Sequence, residues 1–255
     1  MIDIHSHVLP GIDDGAKEID SALNMLQIAI DNGTHQIVAT PHYRRGYYEN
    51  NYEDISKIVG EVNDVVSDKG MDIQVVLGQE VFLDDHTVDA YKKGVIGCIG
   101  DTGYMLVELS MDTMPKNAMD IIYELKLKGV KPIIAHPERY NYIIEKPIMI
   151  NEFIEEGCLF QINGGSITGM FGKRVQKTSE ILIQHGVCNF IASDAHSAGR
   201  RCPGVKEALE VVESLNKELA RRVVHNAQML LSNEKIHINA EKIKEKKSLF
   251  SFLKR

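Results

Sequence analysis

Short apolar runs alternate with longer amphipathic stretches along most of the chain. The apolar runs occupy residues 2–5, 36–40, 73–78, 104–108, 131–135, 159–163 and 189–193, each bounded by polar residues or glycine. Their brevity and near-continuous hydrophobicity predict buried strands. Between them, residues 20–32, 52–68, 116–128, 148–156 and 173–185 repeat apolar positions at helical spacing. Several of these stretches end at a glycine, Gly33, Gly70 and Gly129 among them, where a helix C-terminal cap belongs. Strand–helix alternation with short links implies parallel strands covered by helices. With about seven such units, an α/β barrel is expected rather than an open sheet.

Composition narrows the function classes. The chain has 255 residues, 44% of them hydrophobic, which is enough for one sizeable core. The formal net charge is -7, which argues against non-specific binding of nucleic acid. The four cysteines, Cys98, Cys158, Cys188 and Cys202, form no C-x-x-C pair and read as reduced thiols of a cytoplasmic protein. The N-terminus lacks a basic segment followed by a long apolar run, so no secretory signal is expected. No stretch approaches the roughly 20 apolar residues of a membrane helix, which leaves at most peripheral membrane contact. From about Lys235 the chain turns lysine-rich and ends in Phe250, Phe252, Lys254 and Arg255. Residues 1–240 are therefore expected to form the folded domain and 241–255 a basic tail. That tail is either solvated or in contact with a membrane or partner.

The candidate chemistry begins at His5-Ser6-His7, where residues two apart in extended chain point to the same side. Alone this is a weak signal. The ends of the other predicted strands carry the same chemistry: His42, Glu80, Glu108, His136 and the pair Asp194 and His196. In a parallel α/β barrel those carboxyl ends lie on one face, where active sites are built. The loop after the first strand adds Asp13 and Asp14 between glycines. On that rim, a ligand role for one of the two outweighs a plain turn. Mixed imidazole and carboxylate donors suit zinc, manganese or iron. Nine candidate ligands are too many for one ion and imply two or three with a bridging carboxylate. Arg139, and Arg200 or Arg201, follow metal-type ligands closely and suit an anionic substrate; spacing does not choose between the last two. Arg44, Arg45, Tyr47 and Tyr48 are weaker candidates for lining the substrate entrance. His35, His86, His185, His225 and His237 lie away from the strand ends and read as surface or capping residues.

Taken in order, His5-x-His7, His42, Glu80, Glu108, His136 and Asp194-x-His196 resemble the polymerase-and-histidinol-phosphatase (PHP) superfamily across nearly the whole chain. Met1-Ile2-Asp3-Ile4-His5, Asp13-Asp14-Gly15, Gly78-Gln79-Glu80, Ala135-His136-Pro137-Glu138-Arg139 and Ser193-Asp194-Ala195-His196 look most like its bacterial protein tyrosine phosphatases of capsule and exopolysaccharide synthesis. The resemblance implies a distorted (β/α)7 barrel holding three divalent cations, typically manganese. It places His5, His7, Glu80 and Asp194 on one ion; Glu80, Glu108 and His136 on a second; and Asp14, His42 and His196 on the third. It puts Arg139 and Arg201 on the phosphate. It implies as substrate the tyrosine-phosphorylated tail of a bacterial tyrosine kinase.

Three rivals share parts of this pattern. A histidinol-phosphate or other small-molecule phosphoesterase would use the same ligand set. An amidohydrolase also opens with His-x-His, but its usual bridging lysine is replaced here by Glu108. A catalytically silent module would have lost ligands, and no ligand position is vacant. A cysteine-dependent phosphatase is excluded, because it needs arginine six residues after its nucleophile. Those positions are Tyr104, Gly164, Asp194 and Ala208.

Overall fold

The computed structural model describes residues 1–244. Its strands form one ring in chain order. Strand β1 (Ile2–Ser6) pairs in parallel with β2 (Gln36–Ala39), and β2 with β5 (Gln74–Leu77). A second sheet runs from β10 (Phe190–Ala192) through β9 (Leu159–Asn163), β8 (Lys131–Ala135), β7 (Tyr104–Glu108) and β6 (Glu80–Phe82) to a hairpin of β3 (His42–Arg44) and β4 (Tyr48–Glu49). The two sheets close on each other where His7 N donates to Ala195 O (2.8 Å) and Asp194 N to His5 O (2.9 Å). The result is the expected α/β barrel, with β2 continued by β3 and β5 by β6. It is distorted between β5 and β7, where a loop takes the place of direct pairing and Gly100 N donates to Leu77 O at 2.7 Å.

Sequence periodicity missed these two breaks. The expected strand 36–40 stops at Ala39, and a separate β3 resumes at His42 beyond Pro41. The expected strand 73–78 likewise gives way to β6 at Glu80. The break is tight: a Cβ on Gly78 would lie 2.6 Å from Val38 Cγ1.

The helices follow the amphipathic pattern. In α2 (Tyr52–Asp68), Ile55, Val59, Val62 and Val66 are buried, spaced three or four residues apart on one face. They pack with Leu23, Met25 and Leu26 of α1 (Ile19–Asp31) against Ile37 and Val75 of the barrel. On the other side α3 (Thr87–Lys92), α4 (Ala118–Leu127), α5 (Asn141–Glu145), α6 (Ile150–Glu155), α7 (Gly164–Ile167) and α8 (Lys173–Gln184) complete the outer layer. Two further helices that sequence analysis left unassigned, α9 (Lys206–Leu215) and α10 (Lys217–Leu231), close the bottom through Val212, Leu219 and Val223. Inside the ring, Ile4, Val38, Leu106, Ile133, Ala135, Phe190 and Ala192 form one buried cluster. That apolar plug fills the lower barrel and confines the polar side chains to the upper end.

Beyond α10 the chain returns to the body: Asn151 exchanges two hydrogen bonds with the Ile243 backbone (2.9 Å each). The start of the expected tail, 241–244, thus lies against the domain. Its remainder, 245–255, lies outside the described residues. No helix among the described residues is long and apolar enough to cross a membrane.

Candidate metal centre and active site

The period of two along each strand decides which side chains reach the upper mouth. Leu106 and Ala192 belong to the interior cluster, so Glu108 and Asp194, two residues further on, follow them inward. On β9 the same alternation puts Gln161 and Asn163 inside, both fully buried. β1 departs from the rule. Its pairing register shifts between Asp3 and Ser6, and this irregularity lets both Ile4 and the adjacent His5 face the interior. Two other ligand-type residues bend the backbone: His136 has φ 33° and Asp194 φ 52°, both left-handed. Such conformations cost about 1–3 kcal/mol each and cluster at functional sites.

All nine predicted ligands converge. Glu80 Oε2 lies 3.2 Å from His5 Nε2, 3.3 Å from His7 Nε2 and 3.1 Å from His42 Nδ1. Its other oxygen is 3.0 Å from His136 Nε2. Asp194 Oδ1 stands 3.5 Å from both His5 Nε2 and His196 Nδ1, and 3.6 Å from His7 Nε2. Asp14 Oδ1 lies between His42 Nε2 (3.5 Å) and His196 Nε2 (3.4 Å). Glu108 approaches His136 at 3.8 Å and His42 at 3.9 Å. Three tight donor groups result: His5, His7 and Glu80; His42, Glu80 and Glu108; and His7, Asp14, His42 and His196. His7 therefore joins Asp14, His42 and His196, which the resemblance had grouped without it.

The hydrogen bonds around this cluster suit cation binding. His5 Nδ1 is 2.9 Å from Gln161 Oε1, His7 Nδ1 2.7 Å from Asp13 Oδ2, and His196 Nδ1 2.9 Å from the Asp194 carbonyl. These partners are acceptors, so each Nδ1 carries a hydrogen, which leaves Nε2 as the atom that can offer a lone pair to a cation in the cavity. This is the outer arrangement typical of metal-binding histidines. The Nε2 atoms of His5 and His7 are 3.3 Å apart and both face carboxylate oxygens. Lone pairs and anionic oxygens crowded in a buried space repel unless positive charge lies among them.

The proton equilibria carry the same strain. Burial resists ionisation of Glu80 and Asp194, yet the surrounding histidines, and Arg201 for Asp194, hold both carboxyls well below their usual range. Burial and the Glu80 charge push Glu108 up to about 7, and burial drives His136 down to about 4. Burial opposes protonation of His5, His7 and His42, yet Glu80 beside His5 and His42, and Asp13 beside His7, raise all three, so without cations protons on these imidazoles offset the buried carboxylate charges.

Above the cluster opens a cavity of about 290 Å³, lined also by Arg44, Tyr48, Met111, Arg139 and Arg201. Arg139 Nη1 and Asn163 Nδ2 donate to Asp194 Oδ2 at 2.8 and 2.6 Å, and Arg201 Nη2 pairs with the same oxygen at 2.7 Å while donating to the Asp194 carbonyl at 3.1 Å. Of the two adjacent arginines, Arg201 faces the cavity. Arg200 is exposed and donates to the Met170 carbonyl at 3.0 Å. At the rim the Tyr48 ring stacks on His42 (5.7 Å, 16°), and Arg44 lies over Tyr47 and Phe82. His35, His86, His225 and His237 are exposed and off the site, and His185 donates locally to Ile181 O at 2.9 Å. Sequence analysis missed the orienting roles of Asp13, Gln161 and Asn163. Buried polar residues two apart on β9 were the available signal.

Gly15 holds the loop that carries Asp13 and Asp14. Its N–H donates to Asp13 Oδ1 at 2.8 Å, and a Cβ there would sit 2.0 Å from the His7 carbonyl oxygen. Gly15→Ala is expected to lower the melting temperature by about 5–10 °C and to weaken metal binding. Calorimetry with metal titration checks this; wild-type values in both would contradict the loop's role.

Comparison with known proteins agrees with this site. Residues 1–232 match the family described as capsular polysaccharide synthesis, CpsB/CapC. Tyrosine-protein phosphatase YwqE of Bacillus subtilis is 34% identical over 253 residues, covering 99% of this chain and 100% of YwqE. Tyrosine-protein phosphatase CpsB of Streptococcus agalactiae is 30% identical over 243 residues, 92% of this chain and 100% of CpsB. A crystal structure from work on YwqE of Bacillus subtilis and CpsB of Streptococcus pneumoniae, described as unique metal-dependent tyrosine phosphatases, superposes with a TM-score of 0.92 at 34% identity. It covers 96% of this chain and 100% of that one. A β-aspartyl dipeptidase from Fervidobacterium islandicum shares the fold alone, with a TM-score of 0.53 at 14% identity over 94% of this chain and 75% of that one. The chain thus belongs to the CpsB/CapC family of capsular polysaccharide synthesis and is a metal-dependent tyrosine-protein phosphatase.

Proposed function

We propose that this phosphatase hydrolyses phosphotyrosine on the tail of a bacterial tyrosine kinase, in the cytoplasm, and so regulates capsular or exopolysaccharide synthesis. The observation that carries the reading is a single cavity with a floor of imidazoles and carboxylates and a wall bearing two arginines. We assign His5, His7, Asp14, His42, Glu80, Glu108, His136, Asp194 and His196 to a cluster of three divalent cations, manganese in the first instance and iron or zinc as alternatives. Bound there, such cations polarise phosphoryl oxygens and make water acidic enough to yield hydroxide near neutral pH.

The chain's own groups do the rest. Arg139 spends one N–H on Asp194 Oδ2 and Arg201 one on the Asp194 carbonyl, and both keep others for equatorial phosphoryl oxygens. Asp13, Gln161 and Asn163 fix the orientation of His7, His5 and Asp194. Tyr48 and Met111 supply apolar surface beside which a phenyl ring can lie. The phenol leaves with a pKa of about 10, so departure as phenolate needs little help from an acid. In-line attack by water opposite the phenol then completes hydrolysis.

A phosphoesterase acting on histidinol phosphate or another small molecule would use the same floor, so substrate preference is the test. Turnover of a phosphotyrosyl peptide is expected to exceed that of histidinol phosphate by about 100-fold in kcat/KM. Metal analysis of the same preparation should find divalent cations in stoichiometric amounts. A preference for histidinol phosphate would move the assignment to the small-molecule reaction.

A further inference from the structure

The loop between α7 and α8 carries an aromatic ring that the core does not use. Phe171 is only half-buried and belongs to none of the buried clusters. Its ring centroid lies 4.7 Å from Arg139 Cζ and 5.9 Å from Arg201 Cζ. These two guanidiniums come from the segments that follow different strands, β8 and β10, and meet on one oxygen of Asp194. Beyond that shared carboxylate oxygen only Arg201 has a further bond to Asp194, to its carbonyl at 3.1 Å, so two like charges in one place gain from another partner. An aromatic face supplies the rest: it attracts the flat side of a guanidinium and leaves the in-plane N–H edges free.

The ring is held as though its position matters. Gly169 and Gly172, at φ +88° and +93°, bracket Met170 and Phe171 in a turn, and Gly172 N donates to Gly169 O at 3.0 Å. Met170 N donates to Gly165 O at 2.8 Å, and a Cβ on Gly165 would come within 3.1 Å of Phe171 Cε2. The Arg200 bond to the Met170 carbonyl ties this turn to the loop bearing Arg201. Sequence neighbours thus divide the work: Arg201 faces the cavity, and Arg200 anchors the platform beneath it.

We propose that Phe171 is a positioning residue, a common aromatic platform that sets the guanidiniums of Arg139 and Arg201 to receive two oxygens of one phosphoryl group. This rests on the reading above that those arginines bind the phosphoryl group, and it adds the element that aligns them.

The test uses Phe171→Leu, which keeps apolar bulk and removes the ring. The KM for a phosphotyrosyl peptide and the inhibition constant of inorganic phosphate should each rise about five- to tenfold. The kcat should stay within about twofold, with bound metal and melting temperature unchanged. Phe171→Trp should return both constants to near wild type. In an Arg139→Ala, Arg201→Ala double variant, adding Phe171→Leu should change phosphate inhibition no further. Wild-type phosphate inhibition in Phe171→Leu, beside a clear loss in the double arginine variant, would overturn the platform alone. Wild-type phosphate inhibition in the double arginine variant would overturn the arginine reading and the platform with it. A Phe171→Leu defect that persists in full without the arginines would show that the ring acts by another route.

Discussion

Glu80→Gln is expected to lower kcat/KM at least about 10³-fold and to strip bound divalent metal to background, while the barrel stays folded. Glu80 is the carboxylate on which the site converges, with four imidazoles within 3.3 Å of its two oxygens. Loss of an outer partner of a metal ligand typically costs 10–100-fold in affinity or activity, so loss of a charge shared by two donor groups should cost more. Glutamine keeps the volume and one acceptor but removes the negative charge that His5, His42 and His136 oppose. It also places an amide N–H₂ where one oxygen faced a nitrogen lone pair. The backbone of Glu80 still pairs with β3 and β7, and the interior cluster beneath is untouched, so circular dichroism and melting should stay near wild type. Elemental analysis and a phosphotyrosyl-peptide assay on the same sample measure the effect. A variant retaining both metal and turnover would remove Glu80 from the centre of the site.

Much of this arrangement was legible in the sequence, because in a parallel barrel one rule serves every strand. A residue two places beyond an inward apolar side chain, at the carboxyl end, faces the mouth. Leu106 and Glu108 obey it, as do Ala192 and Asp194. That regularity let scattered histidines and carboxylates be assigned to one place. It failed where the backbone is irregular. The strand breaks at Pro41 and at Gly78 and Gln79 put His42 and Glu80 on short strands of their own, which a window of apolar residues does not register. The β3–β4 hairpin is rich in arginine and tyrosine and reads as a polar loop. The register shift in β1 breaks alternation, so the inward placement of both Ile4 and His5 follows from pairing with neighbours rather than from local pattern. Helices α9 and α10 carry a usable amphipathic pattern that was left unassigned.

Residues acting through others were the hardest to read. Asp13 was noticed only as half of an acidic pair. Its geometry shows two separate tasks: Asp14 faces His42 and His196, while Asp13 turns inward to His7 and is wholly occupied there and by the Gly15 and His42 amides. Gln161 and Phe171 carry no charge and announce nothing in one dimension. Their roles arise because β9 and the loop before α8 lie beside residues more than twenty positions away in sequence. Contact across the barrel creates those roles, and a single sequence does not record it.

A strong chelator should abolish turnover, and manganese added back should restore it, whereas exhaustive alkylation of the native protein should leave activity within about twofold. The thiols explain the second half. Cys98, Cys158 and Cys188 are buried, and burial pushes their thiols up to about 11, 12 and 12, so thiolate is scarce near neutral pH. Only Cys202 is exposed among the four, and it follows Arg201 on the rim. Alkylation of Cys202 could crowd that arginine, so Cys202→Ser, which cannot be alkylated there, separates crowding from chemistry. If the variant keeps wild-type turnover before and after alkylation, sulfur plays no part. The first half follows from the floor of the cavity, where imidazole nitrogens and carboxylate oxygens crowd at 3.2 to 3.6 Å as a donor set for cations. Removing the cations removes their charge and the source of acidic water together, and no other group lining the cavity supplies a nucleophile of comparable strength. Activity that survives chelation but is lost on alkylation of the Cys202→Ser variant would transfer the reaction from the metal cluster to a buried thiol.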